Sequence, residues 1–394
     1  MTEPLPQARA IVAGHICLDL MPDLGSRPLD LQPGALRIAG PMTISPGGSV
    51  SNTGIALHRL GVATRLVALV GSDPLGAVLR AALEDEASGF GDGLVVRADE
   101  STSYSVLLSS ATTDRIVINF PGANDAFSSD DLPEDRLRGA ELLHVGYPPL
   151  MRRLCEDRGL ELERLLRTAR GAGLVTSLDM AEPGDRVGDI EWPALLARVL
   201  PQVDVFMPSL GELRAMLGPN RVASANEAHV ASSEGPPDEM EVRSLAGTAL
   251  SLGAAVVGVK LGRFGLYLST ASEARVRAVA ERLPGLETGP WSSRELWSSI
   301  FEVPVRGTTG SGDTTIAGFL TALLERRGPV EALDLACATG SLCVERDDAQ
   351  SGIRSREQAG ARARSDAPRP PLPVSTGWSP TASPGVMAGP GDRG

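Results

Sequence analysis

The chain has 394 residues, a formal net charge of −12 at pH 7, 42% hydrophobic and 22% charged residues. That balance fits one large globular domain or two medium ones, and the acidic charge with no basic stripe excludes a nucleic-acid surface. No apolar run reaches the roughly 18 residues of a membrane span, and MTEPLPQARAIVAG carries acid and proline where a secretory leader starts basic, so a cytoplasmic protein without a membrane partner is expected.

In chain order, "RAIVAGHICLDL" reads as a strand that ends at Asp19. "SNTGIALHRLG" (51–61) reads as a helix with Ile55, Leu57 and Leu60 apolar and Gly61 as its stop. "VATRLVALVG" is a strand and "DPLGAVLRAALEDE" a helix. The segment 101–124 departs from this alternation: two strands flank a turn with no helix between them, as in an accessory sheet used as a flap or a dimer contact. Farther on, "ELLHVGY", "GLVTSLDM", "VDVFMPS" and "AAVVGVKLG" are short apolar runs separated by helical stretches such as "RGLELERLLRTARGAG" and "LGELRAML". Strands alternating with helices predict an α/β fold with a mostly parallel sheet.

Two stretches read as insertions. Residues 219–243 are polar and proline-bearing, and residues 271–300 separate a strand at "FGLYL" from another at "FEVPV". From about 356 to 394 periodicity is lost and the composition turns Pro/Gly/Ser-rich, which predicts a disordered tail. Cys17, Cys155, Cys337 and Cys343 form no CxxC pair, so buried reduced thiols are expected rather than a metal site or disulfides.

The chemistry concentrates in "GTTGSGDTTIAGFL", residues 307–320. Ile316, Phe319, Leu320, Leu323 and Leu324 share one helical face, so Gly310, Ser311 and Gly312 sit at a helix N-terminus. Free N–H groups and the helix dipole favour an anion there, and glycine admits it closely. Asp313 would repel a static phosphate but could take a proton from an attacking hydroxyl. Read alone, the stretch is equally an Asp-capped helix behind a tight turn. A second stretch, "SPGGSVSNTGIALHRLG" (45–61), sets Gly47 and Gly48 four residues or so before Asn52 at the mouth of another helix.

Together the two stretches resemble the paired signatures of the ribokinase-like (PfkB) carbohydrate kinases. The first is Gly-Gly followed by Asn, and the second reads D-T-T-G-A-G-D. "HICLDL", "DRIVINFPGAN", "VDVFMPSLGELRAML" and "VVGVKLGRFGLYL" resemble further parts of that family. The resemblance implies a three-layer α/β/α sandwich with a small β-sheet lid (approximately 15–45 and 97–125), a kinase domain over 9–355, and ATP-dependent phosphorylation of a sugar or sugar acid. A nucleoside kinase on the same fold and a catalytically weak binding protein are the alternatives.

Carried over position by position, the resemblance implies Asp313 as catalytic base and Gly310, Ser311 and Gly312 as anion hole. Asp19, Gly47, Gly48 and Asn52 would hold the substrate. Ser209, Lys260 and Gly262 would lie by the nucleotide, and Glu212 would place Mg²⁺, through water. Two positions depart from the pattern. Ser209 replaces the Asn of N-x-x-E, and Gly307 replaces the first signature Asp, which helps hold a monovalent cation in potassium-activated members. Weak or absent potassium dependence is therefore expected, as is a possible homodimer through the lid.

Overall fold

The opening apolar run does not stay in one sheet. In a computed structural model, which describes residues 8–25, 33–34, 36, 38–110, 113–182, 190–218 and 235–394, β1 (Ala10–Gly14) enters a large sheet and β2 (Cys17–Pro22) leaves for a smaller one. The break falls at Gly14. Its φ is +125°, and a Cβ there would lie 2.5 Å from the Gly146 carbonyl oxygen. Asn124 pins the crossing, accepting from Ile16 N at 3.2 Å and donating to Ile16 O at 2.8 Å. Asp19 consequently lies in the middle of a strand of the smaller sheet, and not at the end of the first strand of the domain.

The chain continues through β3 (Met42–Gly47), β4 (Thr64–Gly71), β5 (Leu94–Arg97), β6 (Tyr104–Ser110), β7 (Thr113–Phe120), β8 (Leu142–Gly146), β9 (Val175–Leu178), β10 (Val205–Phe206) and β11 (Val256–Lys260). Last come β12 (Leu266–Thr270), β13 (Glu295–Ser298), β14 (Ser379–Pro380) and β15 (Val386–Ala388). The large sheet has the order β14-β15-β13-β12-β11-β10-β9-β8-β1-β4-β5. From β11 to β5 every neighbouring pair is parallel, and beyond β11 the pairs are antiparallel. The smaller sheet has the order β3-β2-β6-β7, with Asp19 opposite Ser45 and Ser105.

Parallel strands lie between two helical layers, so both of their faces are buried. Ala10 and Val12 enter one core, and Ile11 and Ala13 enter the other. In β4, Leu66, Ala68 and Val70 divide from Val67 and Leu69 in the same way. This is why the strands read as continuous apolar runs rather than as alternation. The helices Gly48–Arg59 and Ser311–Leu324 cover the first face, and Arg152–Gly171 and Glu239–Ser251 cover the second. The fold is thus an α/β sandwich with a mostly parallel central sheet and a small second sheet.

Three expectations need correction. Residues 356–394 are ordered: Arg356–Ala363 is a helix, and β14 and β15 extend the large sheet antiparallel to β13. Fully buried Val386 and the Trp378 ring, 5.8 Å from that of Trp297, anchor a segment whose composition suggested no core. The 271–300 stretch is built into the domain through the helix Glu273–Ala280 and through β13, whereas "FEVPV" forms no strand. Of 219–243, residues 219–234 lie outside the described residues, and the helix Glu239–Ser251 has already begun by the end of the stretch. All four cysteines are buried free thiols, as expected.

Candidate active site

The Ser311–Leu324 helix begins at Gly310, whose φ of +71° and whose contact with Ala349 (a Cβ would come 2.4 Å from the Ala349 Cβ) both exclude a side chain. Ser311 N–H donates to Thr308 O at 3.2 Å and Thr314 N–H to Gly310 O at 2.9 Å. Among the described residues no backbone carbonyl accepts from the amides of Gly312 and Asp313. These two are therefore the helix's free donors, and Ser311's own amide is already committed.

Asp313 is buried and faces away from that opening toward the Gly48–Arg59 helix. Asn52 Nδ2 donates to its Oδ2 at 3.0 Å, Tyr147 OH donates to the same oxygen at 2.7 Å, and Thr53 Oγ1 reaches Oδ1 at 3.3 Å. The carboxylate is thus oriented by three donors, and Oδ1, with a single long bond, is the freer oxygen. Tyr147 and Thr53 were not legible in the sequence as site residues. In the structure Tyr147 is marked by its backbone, which takes φ +61° just before Pro148. Burial first, then the Asp313 and Asp179 charges, raise the phenol well above its ordinary pKa, so it remains a donor.

At the start of the Gly48–Arg59 helix, Gly47 and Gly48 are glycine for want of space. A Cβ on Gly47 would fall 2.2 Å from the Asp19 carboxylate, and one on Gly48 (φ +81°) would fall 2.7 Å from His15 Nδ1. Asp19 is nearly buried, accepts from Cys17 Sγ at 3.3 Å, and borders a cavity of about 230 Å³ with Ser45, Thr309 and Gln350. Burial and then Asp19 push the Cys17 thiol well above its usual pKa. His144 is a packing residue, bonded through Nδ1 to Ser177 Oγ at 3.0 Å and lowered to about 3 by burial and by Lys260.

On the other side of the Gly310–Gly312 turn a cavity of about 480 Å³ is lined mainly by apolar groups, among them Leu266, Phe301, Val303 and Val344. Lys260, Gly262, Ser311 and Gly312 border it. Lys260 is not solvated: its Nζ donates to fully buried Asp179 at 2.6 Å, and a Cβ on Gly312 would lie 3.4 Å from that Nζ. Burial opposes the ammonium, but Asp179 and Glu212 outweigh it and raise its pKa. Burial lifts Asp179 above the usual carboxylate range; Lys260 pulls it back, and Glu212 and Asp313 push it up. Ser209 and Glu212 close a capping box on the Leu210–Leu217 helix, with Glu212 Oε2 accepting from Ser209 N at 2.7 Å and Ser209 Oγ accepting from Glu212 N at 3.2 Å. Gly307 stands beside two carbonyls, with a Cβ there 3.0 Å from Arg346 O and 3.2 Å from Asp347 O.

The glycine turn thus has a cavity on one flank and an oriented carboxylate on the other. The pfkB family carbohydrate kinase model aligns with residues 8–356. The chain belongs to that family. Its members are phosphotransferases that use an alcohol group as acceptor.

An uncharacterized sugar kinase of Archaeoglobus fulgidus is 24% identical to the chain over 303 residues, covering 76% of this chain and 98% of that protein. An ATP-dependent ribose-1-phosphate kinase of Halopiger xanaduensis is 27% identical over 307 residues, covering 78% and 83%. The structure of Arabidopsis thaliana ribokinase complexed with ribose and ATP superposes with a TM-score of 0.67 at 20% identity, covering 91% of this chain and 99% of that one. The superposition shows that the pfkB fold is shared. Among the described residues no helix is long and apolar enough to cross a membrane.

The residues present are compatible with Mg²⁺ carried chiefly by phosphates. No group of three or more His, Cys, Asp or Glu among the described residues forms an all-protein metal cage. Glu212 uses one carboxylate oxygen in the helix cap, and among the described residues the other accepts no hydrogen bond. One such carboxylate, acting through water, would suit a substrate-borne Mg²⁺.

Proposed function

We propose that this pfkB protein transfers the γ-phosphoryl group of ATP to a hydroxyl of a sugar or sugar acid. The supporting observation is the adjacency of Gly312 and Asp313. An open amide borders the large cavity, and one residue later a carboxylate is held by Asn52, Thr53 and Tyr147 on the opposite flank.

In this reading ATP occupies the 480 Å³ cavity with its base against the apolar wall. Its phosphates run toward Gly262, Lys260 and the Gly310–Gly312 turn. Gly310 and Ser311 shape that turn, and the Gly312 and Asp313 amides donate to the migrating group. The acceptor hydroxyl lies near Asn52, between the glycine pair and Asp313, with Asp19 holding a further hydroxyl. Its oxygen attacks the γ-phosphorus, the bond from that phosphorus to the β–γ bridging oxygen breaks, and the hydroxyl proton passes to Asp313 Oδ1. ADP and the phosphorylated sugar leave, and Asp313 returns its proton to solvent.

Lys260, kept charged by Asp179, sits where negative charge gathers on the phosphates. Ser209 orients Glu212 and keeps its own hydroxyl proton free to donate. Mg²⁺, held by Glu212 through water, supplies charge neutralisation on the phosphates when it is bound. The small sheet covers the sugar and limits hydrolysis by water. Exposed Met42 and Ile44 on β3, and Ile116, Ile118 and Phe120 on β7, make its edges a surface for a second copy. A cytoplasmic location matches the need for ATP.

ADP release measured across sugars, sugar acids, nucleosides and ribose 1-phosphate tests the assignment. The account expects turnover with a sugar or sugar acid, whereas turnover confined to nucleosides reassigns the substrate, and no ATP-dependent turnover with any acceptor removes the kinase reading.

A further inference from the structure

One wall of the large cavity, residues 300–305, belongs to no strand or helix, yet Phe301 in it is 1% exposed. A segment without a ladder must satisfy its backbone elsewhere, and here Glu302 and the preceding Ser299 find partners in the last thirty or so residues. Glu302 N donates to Pro368 O at 2.8 Å, Ser299 N to Gly385 O at 2.8 Å, and Ser299 Oγ to Pro370 O at 2.6 Å. Arg369 lays its guanidinium over the Phe301 ring, 3.9 Å from the centroid.

Arg369 is itself fixed. Its Nη2 donates to Asp334 Oδ1 at 2.8 Å, and its Nη1 is buried with no hydrogen-bond partner among the described residues. Gly385 is glycine because a Cβ would stand 1.8 Å from that Nη1. Burying an arginine with an uncommitted amino group costs free energy that an aliphatic side chain would avoid. What the guanidinium provides in exchange is a flat charged face that holds an aromatic ring in one plane. Pro368, Arg369, Pro370 and Gly385 all lie beyond residue 356, where the match to the family model ends.

We propose that the segment 366–390 is a brace for the nucleotide site and that Arg369 is a positioning residue, fixing Phe301 and with it the base-facing wall. The inference rests on the reading of the cavity as the ATP pocket. It assigns base affinity and base selectivity in part to a segment outside the family domain, acting from behind the wall rather than by touching the nucleotide.

Calorimetric titration of the full-length protein with ATP and with GTP tests it and needs no knowledge of the sugar. Arg369→Ala and Arg369→Lys should weaken ATP binding roughly three- to tenfold, a fraction of a desolvated cation–π contact because Arg369 acts through Phe301, and should narrow the ATP-over-GTP preference. Asp392→Asn disturbs the Arg294 pair at the far end of the same tail and should leave both affinities unchanged. Wild-type affinity and selectivity in Arg369→Ala, or an equal loss in Asp392→Asn, would overturn the brace. Failure of the wild-type protein to bind ATP at all would instead overturn the reading of the cavity, and the brace with it.

Discussion

Tyr147 donates its phenolic hydrogen to Asp313 Oδ2 at 2.7 Å, while its ring lies 6.0 Å from that of His15. One side chain thus joins the packing under the smaller sheet to the carboxylate proposed as base. Tyr147→Phe keeps the ring and removes the donor. A hydrogen bond to a charged group contributes about 1.5–3 kcal/mol to stability, so the thermal midpoint should drop, and kcat should fall by up to roughly a hundredfold as the base loses its orientation. Unchanged kcat would mean that the phenol packs and does not orient.

Gly307 presents no side chain to the carbonyls of Arg346 and Asp347 that stand beside it. A monovalent cation there would lack its charged ligand. The expected outcome is kcat/KM within about twofold in potassium, sodium and choline chloride, since carbonyl dipoles alone hold a cation weakly in water. Strong potassium activation would refute this.

Buried Asp204 accepts through Oδ1 from Arg282 at 2.6 Å, Arg275 at 2.9 Å and Arg170 at 3.3 Å, and through Oδ2 from Thr176 N at 3.1 Å. Asp204→Ala would leave three guanidinium groups around an empty place. Removing one member of a buried ionic cluster costs about 3–5 kcal/mol, and denaturant unfolding should show a loss of that size.

His15 and His144 are buried neutral, lowered by burial to about 4 and about 3. Below pH about 6.5 the unfolded chain takes up a proton at each that the folded chain refuses, so stability falls as pH drops. The loss begins near 6.5 and runs down to the folded-state values, at up to about 1.4 kcal/mol per pH unit for each histidine. His144→Asn should make the decline between pH 6 and 4 shallower by one proton's worth, read from unfolding curves at several pH values. An unaltered slope would mean that His144 charges in the folded state.

Much of this site was legible because its chemistry is carried by backbone and by contiguous residues. The Gly310–Asp313 turn and the Gly47–Asn52 stretch each declare themselves through glycine where no Cβ fits. Tyr147, Thr53 and Asp179 did not, because their roles arise from tertiary approach: Tyr147 and Asp313 are 166 residues apart. The tail misled for a related reason. Its prolines and glycines carry no periodicity, but Trp378 and Val386 find a core already made by β12 and β13. The burial of Lys260 beside Asp179 is not visible in the sequence, because it requires β9 and β11 to flank β10 in the sheet.

The central claim is that Asp313 takes the acceptor's proton while the amides beside it hold the phosphoryl group. Turnover by Asp313→Asn, measured as ADP release with the best acceptor, tests it most directly, alongside ATP binding and thermal unfolding. General-base catalysis contributes about 10²–10⁴-fold, so kcat should fall at least a hundredfold while the protein stays folded and binds ATP. Near-normal kcat in that variant would contradict the account.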